Sequence, residues 1–259
     1  MKLVLALLLC FGCVSLARGE VQTKTIEYRD GDVVLEGFAA WDPDKISQSA
    51  PGVLVVHQWL GLTGYEKSRC LKLAELGYVA FALDIYGKGV RPENPQAAGK
   101  LAGVYKTDRN LYRQRLGLGL EQLRKLTGVD SKNLAAIGYC FGGTGVLELA
   151  RSGADLKGVA SFHGGLDAPT PQDAKNIKAK VLLLHGQDDP FVPQDDIDAM
   201  QQAFNAAGVD WQMISYSQTV HSFTQPMAGS DNSLGAAYNE RSDKRSWLAM
   251  QQFFHELFE

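Results

Sequence analysis

The sequence predicts an α/β fold: a mostly parallel sheet with helices on both of its faces. Three observations carry that expectation. Short, continuously apolar runs alternate with longer helical stretches, the rhythm of strand–helix–strand crossovers. Two alternating segments near the start flank Asp30-Gly31, a hairpin signal. A length of 259 residues with 45% hydrophobic residues supplies a sizeable core for one domain of this class.

Thr23 to Tyr28 and Val33 to Ala40 are the expected hairpin, an antiparallel pair opening the sheet. Five buried strands follow at Val53–His57, Tyr78–Leu83, Leu134–Tyr139, Gly158–Phe162 and Val181–His185. Glu66 to Leu76 reads as an amphipathic helix whose apolar face holds Cys70, Leu73 and Ala74, so Cys70 is expected to be a packed core thiol. Trp211 to Ser217 alternates as a further strand, and a long helix from about Ala237 to Phe258 closes the chain. Tyr86 to Lys106, rich in Gly, Pro and Asn, reads as an irregular excursion over the strand ends, either bordering a pocket or inert. Pro226 to Ser233 reads as a second irregular loop able to act as a wall or lid.

Within this plan Ile137-Gly138-Tyr139-Cys140-Phe141-Gly142-Gly143 runs from an apolar strand into a helix-forming segment with glycines on both sides of a Cys. A strand-to-helix turn this sharp strains the backbone of its central residue and needs glycines for the helix to pack on the strand. It also places the thiol at a helix N-terminus, where N–H groups and the macrodipole favour a thiolate and an oxyanion. A buried structural Cys beside a tight contact is the competing reading. Asp189 sits past the end of the Val181–His185 strand, and His221 lies in a loop beyond Trp211–Ser217. Singly, such residues are more often a turn Asp and a surface His. Together, the order Cys140, Asp189, His221, each beyond a strand end, matches the nucleophile–acid–histidine order of α/β-hydrolases. Cys140, Asp189 and His221 are therefore the expected catalytic triad.

The sequence resembles the dienelactone hydrolase family of the α/β-hydrolase fold. The resemblance rests on Gly138-Tyr139-Cys140-Phe141-Gly142-Gly143, Asp189-Pro190-Phe191-Val192-Pro193 and His221-Ser222-Phe223. It implies that residues 20–259 form one hydrolase domain in which Cys140 is the nucleophile. It also implies that the oxyanion donors are the backbone N–H groups of Phe141 and Trp59. Two departures stand out. Where dienelactone-cleaving members carry a Glu before the second oxyanion donor, this chain has Gln58, which cannot take a proton. Where those members hold the substrate carboxylate with arginines, the nearest matches here are Lys88 and Gln225. Gln58 and Lys88 are the expected substrate-pocket residues, with Lys88 acting as a point charge instead of a planar fork.

Composition narrows the partners. A net charge of −3 offers no basic footprint for nucleic acid or an anionic membrane. No Cys/His cluster with ligand spacing appears, and the glycine-rich elbow lacks the Lys-Ser/Thr ending of a phosphate loop, so neither metal nor cofactor is expected. His57 and His163 sit near strand ends and read as hydrogen-bonded structural residues in preference to pocket residues. Met1-Lys2 precedes an apolar run from Leu3 to Leu16, too short to span a bilayer, and Ser15-Leu16-Ala17 suits a signal peptidase. Residues 1–19 are thus expected to be a signal peptide, cleaved after Ala17 or Gly19, with export to the periplasm or the medium. The alternative is an N-terminal helix buried in the fold. Cleavage would remove Cys10 and Cys13 and leave Cys70 and Cys140 as the two thiols. The expected protein is a monomer hydrolysing a small ester or lactone through a thiol acyl-enzyme. Thioesterase activity, a non-catalytic ligand-binding role and a redox-responsive thiol are the alternatives.

Overall fold

The computed structural model describes residues 20–46 and 48–259. The expected signal peptide, with Cys10 and Cys13, lies outside the described residues. An eight-stranded sheet forms the centre, in the order β1-β2-β4-β3-β5-β6-β7-β8. β1 (Gln22–Asp30) and β2 (Val33–Trp41) form the hairpin, with Gly31 at φ 57° in its turn, and β2 pairs antiparallel with β4 (Val79–Ala82). From β4 onward all pairs are parallel: β3 (Ala50–Val56), β5 (Val129–Tyr139), β6 (Gly158–Phe162), β7 (Lys180–Gly186) and β8 (Trp211–Tyr216).

The buried strands read as unbroken apolar runs because each face of the sheet carries its own core. Along β3, Val53 and Val55 point into one cluster, and Leu54 and Val56 into the other. The first cluster is closed by α1 (Gly64–Glu75), through Cys70, Leu73 and Ala74, and by α6 (Glu240–Phe258), through Met250, Phe253 and Phe254. The second is closed by α3 (Arg109–Arg124), α4 (Phe141–Arg151) and α5 (Gln194–Ala207), with Tyr112, Leu116, Val146, Leu147, Ile197 and Phe204 among its members. Each such side chain withdrawn from water contributes on the order of 1.5–3 kcal/mol. Cys70 is fully buried, and that burial pushes its thiol well above the ordinary range.

One part of the Tyr86–Lys106 segment differs from expectation. It contains α2 (Pro95–Thr107), capped by Asn94, whose side chain accepts a hydrogen bond from the Ala97 N–H, with Pro95 in the first helical turn. Gly99 and Gly103 obscure the periodicity, yet Ala98, Ala102 and Tyr105 repeat at helical spacing and are buried. The closing helix begins at Glu240, three residues later than its apolar pattern suggests. Asn239 caps it by accepting from the Ser242 N–H at 3.1 Å.

Candidate active site

Cys140 occupies the turn between β5 and α4 at φ 54°, ψ −115°, a conformation disfavoured for any residue with a side chain. The neighbouring glycines make it possible. A Cβ on Gly138 would lie 1.9 Å from the Gly142 carbonyl oxygen, and one on Gly142 would lie 2.2 Å from that of Val56. The crowding aims the thiol out of the sheet at the N-terminus of α4, where the first N–H groups have no partner within the helix.

Asp189 lies in the turn after β7. His221 lies in the loop after β8, pinned by its own N–H to Gly235 O (3.1 Å) and by the Ala237 N–H to His221 O (3.0 Å). These two excursions bring the three side chains into one line. His221 Nε2 is 3.0 Å from Cys140 Sγ, and His221 Nδ1 is 2.7 Å from Asp189 Oδ2. The other Asp189 oxygen accepts from the Phe191 N–H at 2.9 Å, which fixes the carboxylate plane. Asp189 and His221 are both buried and Cys140 is half-buried.

The electrostatics of this line favour a charged pair. Burial pushes the Cys140 thiol up, but the adjacent His221 charge, their hydrogen bond and the Phe141 N–H outweigh it, with a further contribution from Lys106. The net result is a thiol held below its ordinary range. Burial alone would lower His221, yet Cys140 and Asp189 on either side of the ring raise it well above a free imidazole. Both shifts favour thiolate and imidazolium over thiol and imidazole.

The thiol opens onto a cavity of about 380 Å³ lined by residues including Trp59, Phe141, Phe191, Val192, His221 and Lys106. Trp59 follows β3, and its carbonyl accepts from the Tyr86 hydroxyl at 3.0 Å, which holds that loop against the aromatic wall. Phe141 stacks on Tyr112 at 4.6 Å, and the Tyr112 hydroxyl donates to Phe141 O at 2.7 Å, tying the first turn of α4 to α3.

The two expected pocket residues are placed elsewhere. Lys88 is a correction: it is half-exposed on the hairpin side of the sheet, paired with Glu27 and, at 3.5 Å, with Glu36. The β1–β2 carboxylates capture it because Gly87 and Lys88 run alongside β2, with the Lys88 N–H donating to Val34 O. Gln58 is buried and does not line the cavity; its N–H donates to the buried Glu66, which also accepts from Thr63 at the start of α1. The cation at the cavity is Lys106, missed because its segment reads as loop. Once α2 is recognised, Gly99, Ala102 and Lys106 fall at steps of three and four, along one helix face.

His57 and His163 are both buried and hydrogen-bonded, and neither lines the cavity. His57 Nε2 accepts from the Ile85 N–H, so its Nδ1 carries the proton and donates to Gln58 O at 2.6 Å. Among the described residues no group of three or more His, Cys, Asp or Glu side chains is placed to hold a metal ion, and no helix is long and apolar enough to cross a membrane.

Known proteins resemble this chain along most of its length. The model of the dienelactone hydrolase family matches residues 35–258. The solved structure of m3DLH superposes with a TM-score of 0.89 at 38% identity, covering 93% of this chain and 100% of its own. A dienelactone hydrolase-like promiscuous phosphotriesterase from metagenomic libraries gives 0.87 at 38% identity, with the same coverage. A protein of Aquifex aeolicus, provisionally named a carboxymethylenebutenolidase, is 29% identical over 204 residues, 77% of this chain and 86% of its own.

Proposed function

The chain belongs to the dienelactone hydrolase family, and from that premise we propose that it hydrolyses small carboxylic esters or lactones through a Cys140–His221–Asp189 triad and an acyl-enzyme. The observation that carries this reading is the unbroken line from Asp189 Oδ2 through His221 to Cys140 Sγ, ending at an open cavity. The Cys140 thiolate attacks the carbonyl carbon, and the carbonyl oxygen becomes an oxyanion facing the Phe141 and Trp59 N–H groups. Collapse breaks the C–O bond of the ester as His221 gives its proton to the leaving oxygen. A thioester remains on Cys140. His221, neutral again and oriented by Asp189, takes a proton from water, and the resulting hydroxide attacks the thioester. Expulsion of the thiolate restores the resting pair and releases the acid.

A cavity of about 380 Å³ suits a small acyl group. Among the described residues no arginine lines it; besides the His221 imidazolium its cation is Lys106, so a substrate carboxylate would meet a point charge at the mouth. The test is hydrolysis of p-nitrophenyl acetate by the parent and by Cys140→Ala, with mass spectrometry of the acylated protein. Loss of turnover in the variant and an acetyl group on Cys140 of the parent are expected; a variant as active as the parent would end the reading.

A further inference from the structure

His163 directly follows β6, beside Cys140, and its backbone, like that of Cys140, sits at positive φ, here 40°. Its Nδ1 lies 3.1 Å from the Cys140 backbone nitrogen. That nitrogen is a donor, so Nδ1 must be the acceptor and the proton must reside on Nε2. Nε2 in turn faces Thr224 Oγ1 at 2.8 Å. Thr224 Oγ1 also accepts from the Tyr65 hydroxyl at 2.7 Å, and Tyr65 accepts from Arg69 Nη2 at 2.9 Å. Arg69 is buried and pairs with Asp243 at 2.8 Å, joining α1 to α6. The line therefore runs from the elbow backbone to a part-buried ion pair between α1 and α6.

We propose that His163 is a positioning residue for Cys140, a fixed neutral acceptor that holds the nucleophile's backbone while His221 holds its sulfur. The proposal rests on the triad reading above. The groups around the ring are His221 at 5.3 Å, Phe223 at 5.1 Å and Tyr139 at 6.1 Å, with Cys140, Thr224, Tyr65 and Arg69 along the polar line. Burial, then the charge of His221, depresses the His163 imidazole far below its ordinary range, so the acceptor persists through the pH range in which the Cys140–His221 pair is charged. The Cys140 N–H is shared, because it also donates to Phe162 O at 3.0 Å in the parallel ladder. Removing the imidazole leaves that ladder bond in place. What is lost is the second anchor on a backbone already in a disfavoured conformation.

The variants separate a positioning role from simple filling of space. In His163→Asn the side-chain oxygen takes the place of Nδ1, and Asn tolerates positive φ. In His163→Gln the polar group reaches toward Thr224 and leaves the Cys140 N–H; in His163→Leu both contacts are gone. Two readouts are followed: kcat and KM for p-nitrophenyl acetate, and the pH profile of Cys140 alkylation by iodoacetamide, which needs no turnover. Leu and Gln should lower kcat about tenfold, the size of one lost buried hydrogen bond, with KM little changed. The alkylation midpoint should move to higher pH, and Asn should restore both. Thr224→Val, which leaves His163 in place but removes its anchor, should give a smaller change of the same kind, reversed by Thr224→Ser. Asn no better than Leu, or an unmoved alkylation profile in Leu and in Thr224→Val, would overturn the proposal. Because alkylation is read independently, a failure of ester hydrolysis in the parent would count against the hydrolase reading and leave this one standing or falling on its own result.

Discussion

Asp189→Asn is the substitution that asks most of the proposed triad. The carboxylate is fully buried, with Oδ2 2.7 Å from His221 Nδ1 and Oδ1 2.9 Å from the Phe191 nitrogen. An amide of the same shape cannot serve both neighbours. If its oxygen accepts from Phe191, its NH₂ faces Nδ1 and forces the His221 proton onto Nε2, where it blocks proton uptake from water. If it flips, NH₂ meets the Phe191 N–H, donor against donor. Charge is lost as well. An imidazolium and a carboxylate with centres about 4 Å apart interact by roughly 4 kcal/mol at an effective dielectric of about 20. Neighbouring opposite charges move a pKa by about 1–3 units, and each unit is about 1.4 kcal/mol, so kcat/KM should fall by about 10- to 1,000-fold. The pH profile should change with a definite sign. The raised pKa of His221 keeps the imidazolium until pH rises through it, and the lowered pKa of Cys140 keeps the thiolate until pH falls through it. Without Asp189 the first limit moves down, because the carboxylate that raises His221 is gone, so the active window narrows from its alkaline end. The assay is kcat/KM for p-nitrophenyl acetate across pH, with alkylation of Cys140 at the same points and a urea unfolding curve as control. An equally stable variant, within about twofold of the parent and with unshifted limits, would refute the argument, because that ratio is under 0.5 kcal/mol.

Two further outcomes follow from other parts of the site. Gly138→Ala should be poorly folded or destabilised by more than the roughly 1–3 kcal/mol of ordinary overpacking, because its Cβ meets the Gly142 carbonyl at 1.9 Å and no side chain can move aside; urea unfolding checks it, and a parent-like midpoint would contradict the packing described. Lys106→Gln should slow alkylation of Cys140 by the anion iodoacetate more than by neutral iodoacetamide, with the difference shrinking as salt is added, since Lys106 is exposed at the cavity mouth. An unchanged ratio of the two rates would remove Lys106 from any role with anionic substrates.

The parts of this protein legible in its sequence are those fixed by neighbours along the chain. The five central strands could be read because both faces of each are buried, which leaves continuous apolar runs such as Val53 to Val56. The elbow could be read because its glycines relieve clashes within a few residues, and Asp189 and His221 because they follow strand ends directly. The fold brings these three residues within hydrogen-bond distance. The lining of the cavity was less legible. Gly99 and Gly103 hid α2, and with it the face that carries Lys106. Lys88 is expected in the pocket as the nearest match to the family's carboxylate-holding arginines, but pairing with Glu27 and Glu36 draws it to the hairpin. That preference depends on which strand lies next to β4, a fact of topology with no local signature.

His163 shows the same limit from the other side. A lone His after a strand reads as structural, and by burial and hydrogen bonding it is. Its partners, Cys140 and Thr224, lie 23 and 61 residues away, so nothing near it in the chain marks what its two nitrogens touch. The arrangement explains how the strained Cys140 keeps one geometry. One polar line reaches Cys140 Sγ through Asp189 and His221, and a second reaches its backbone N–H through Thr224 and His163. Both approach from loops at the C-terminal ends of parallel strands, where residues distant in sequence can converge on one point. A side chain held only at sulfur could relieve its strain by turning the peptide; one held at sulfur and nitrogen cannot do so without breaking a buried contact. Structural and functional are therefore not competing descriptions of His163, because the structure it maintains is the geometry of the proposed nucleophile.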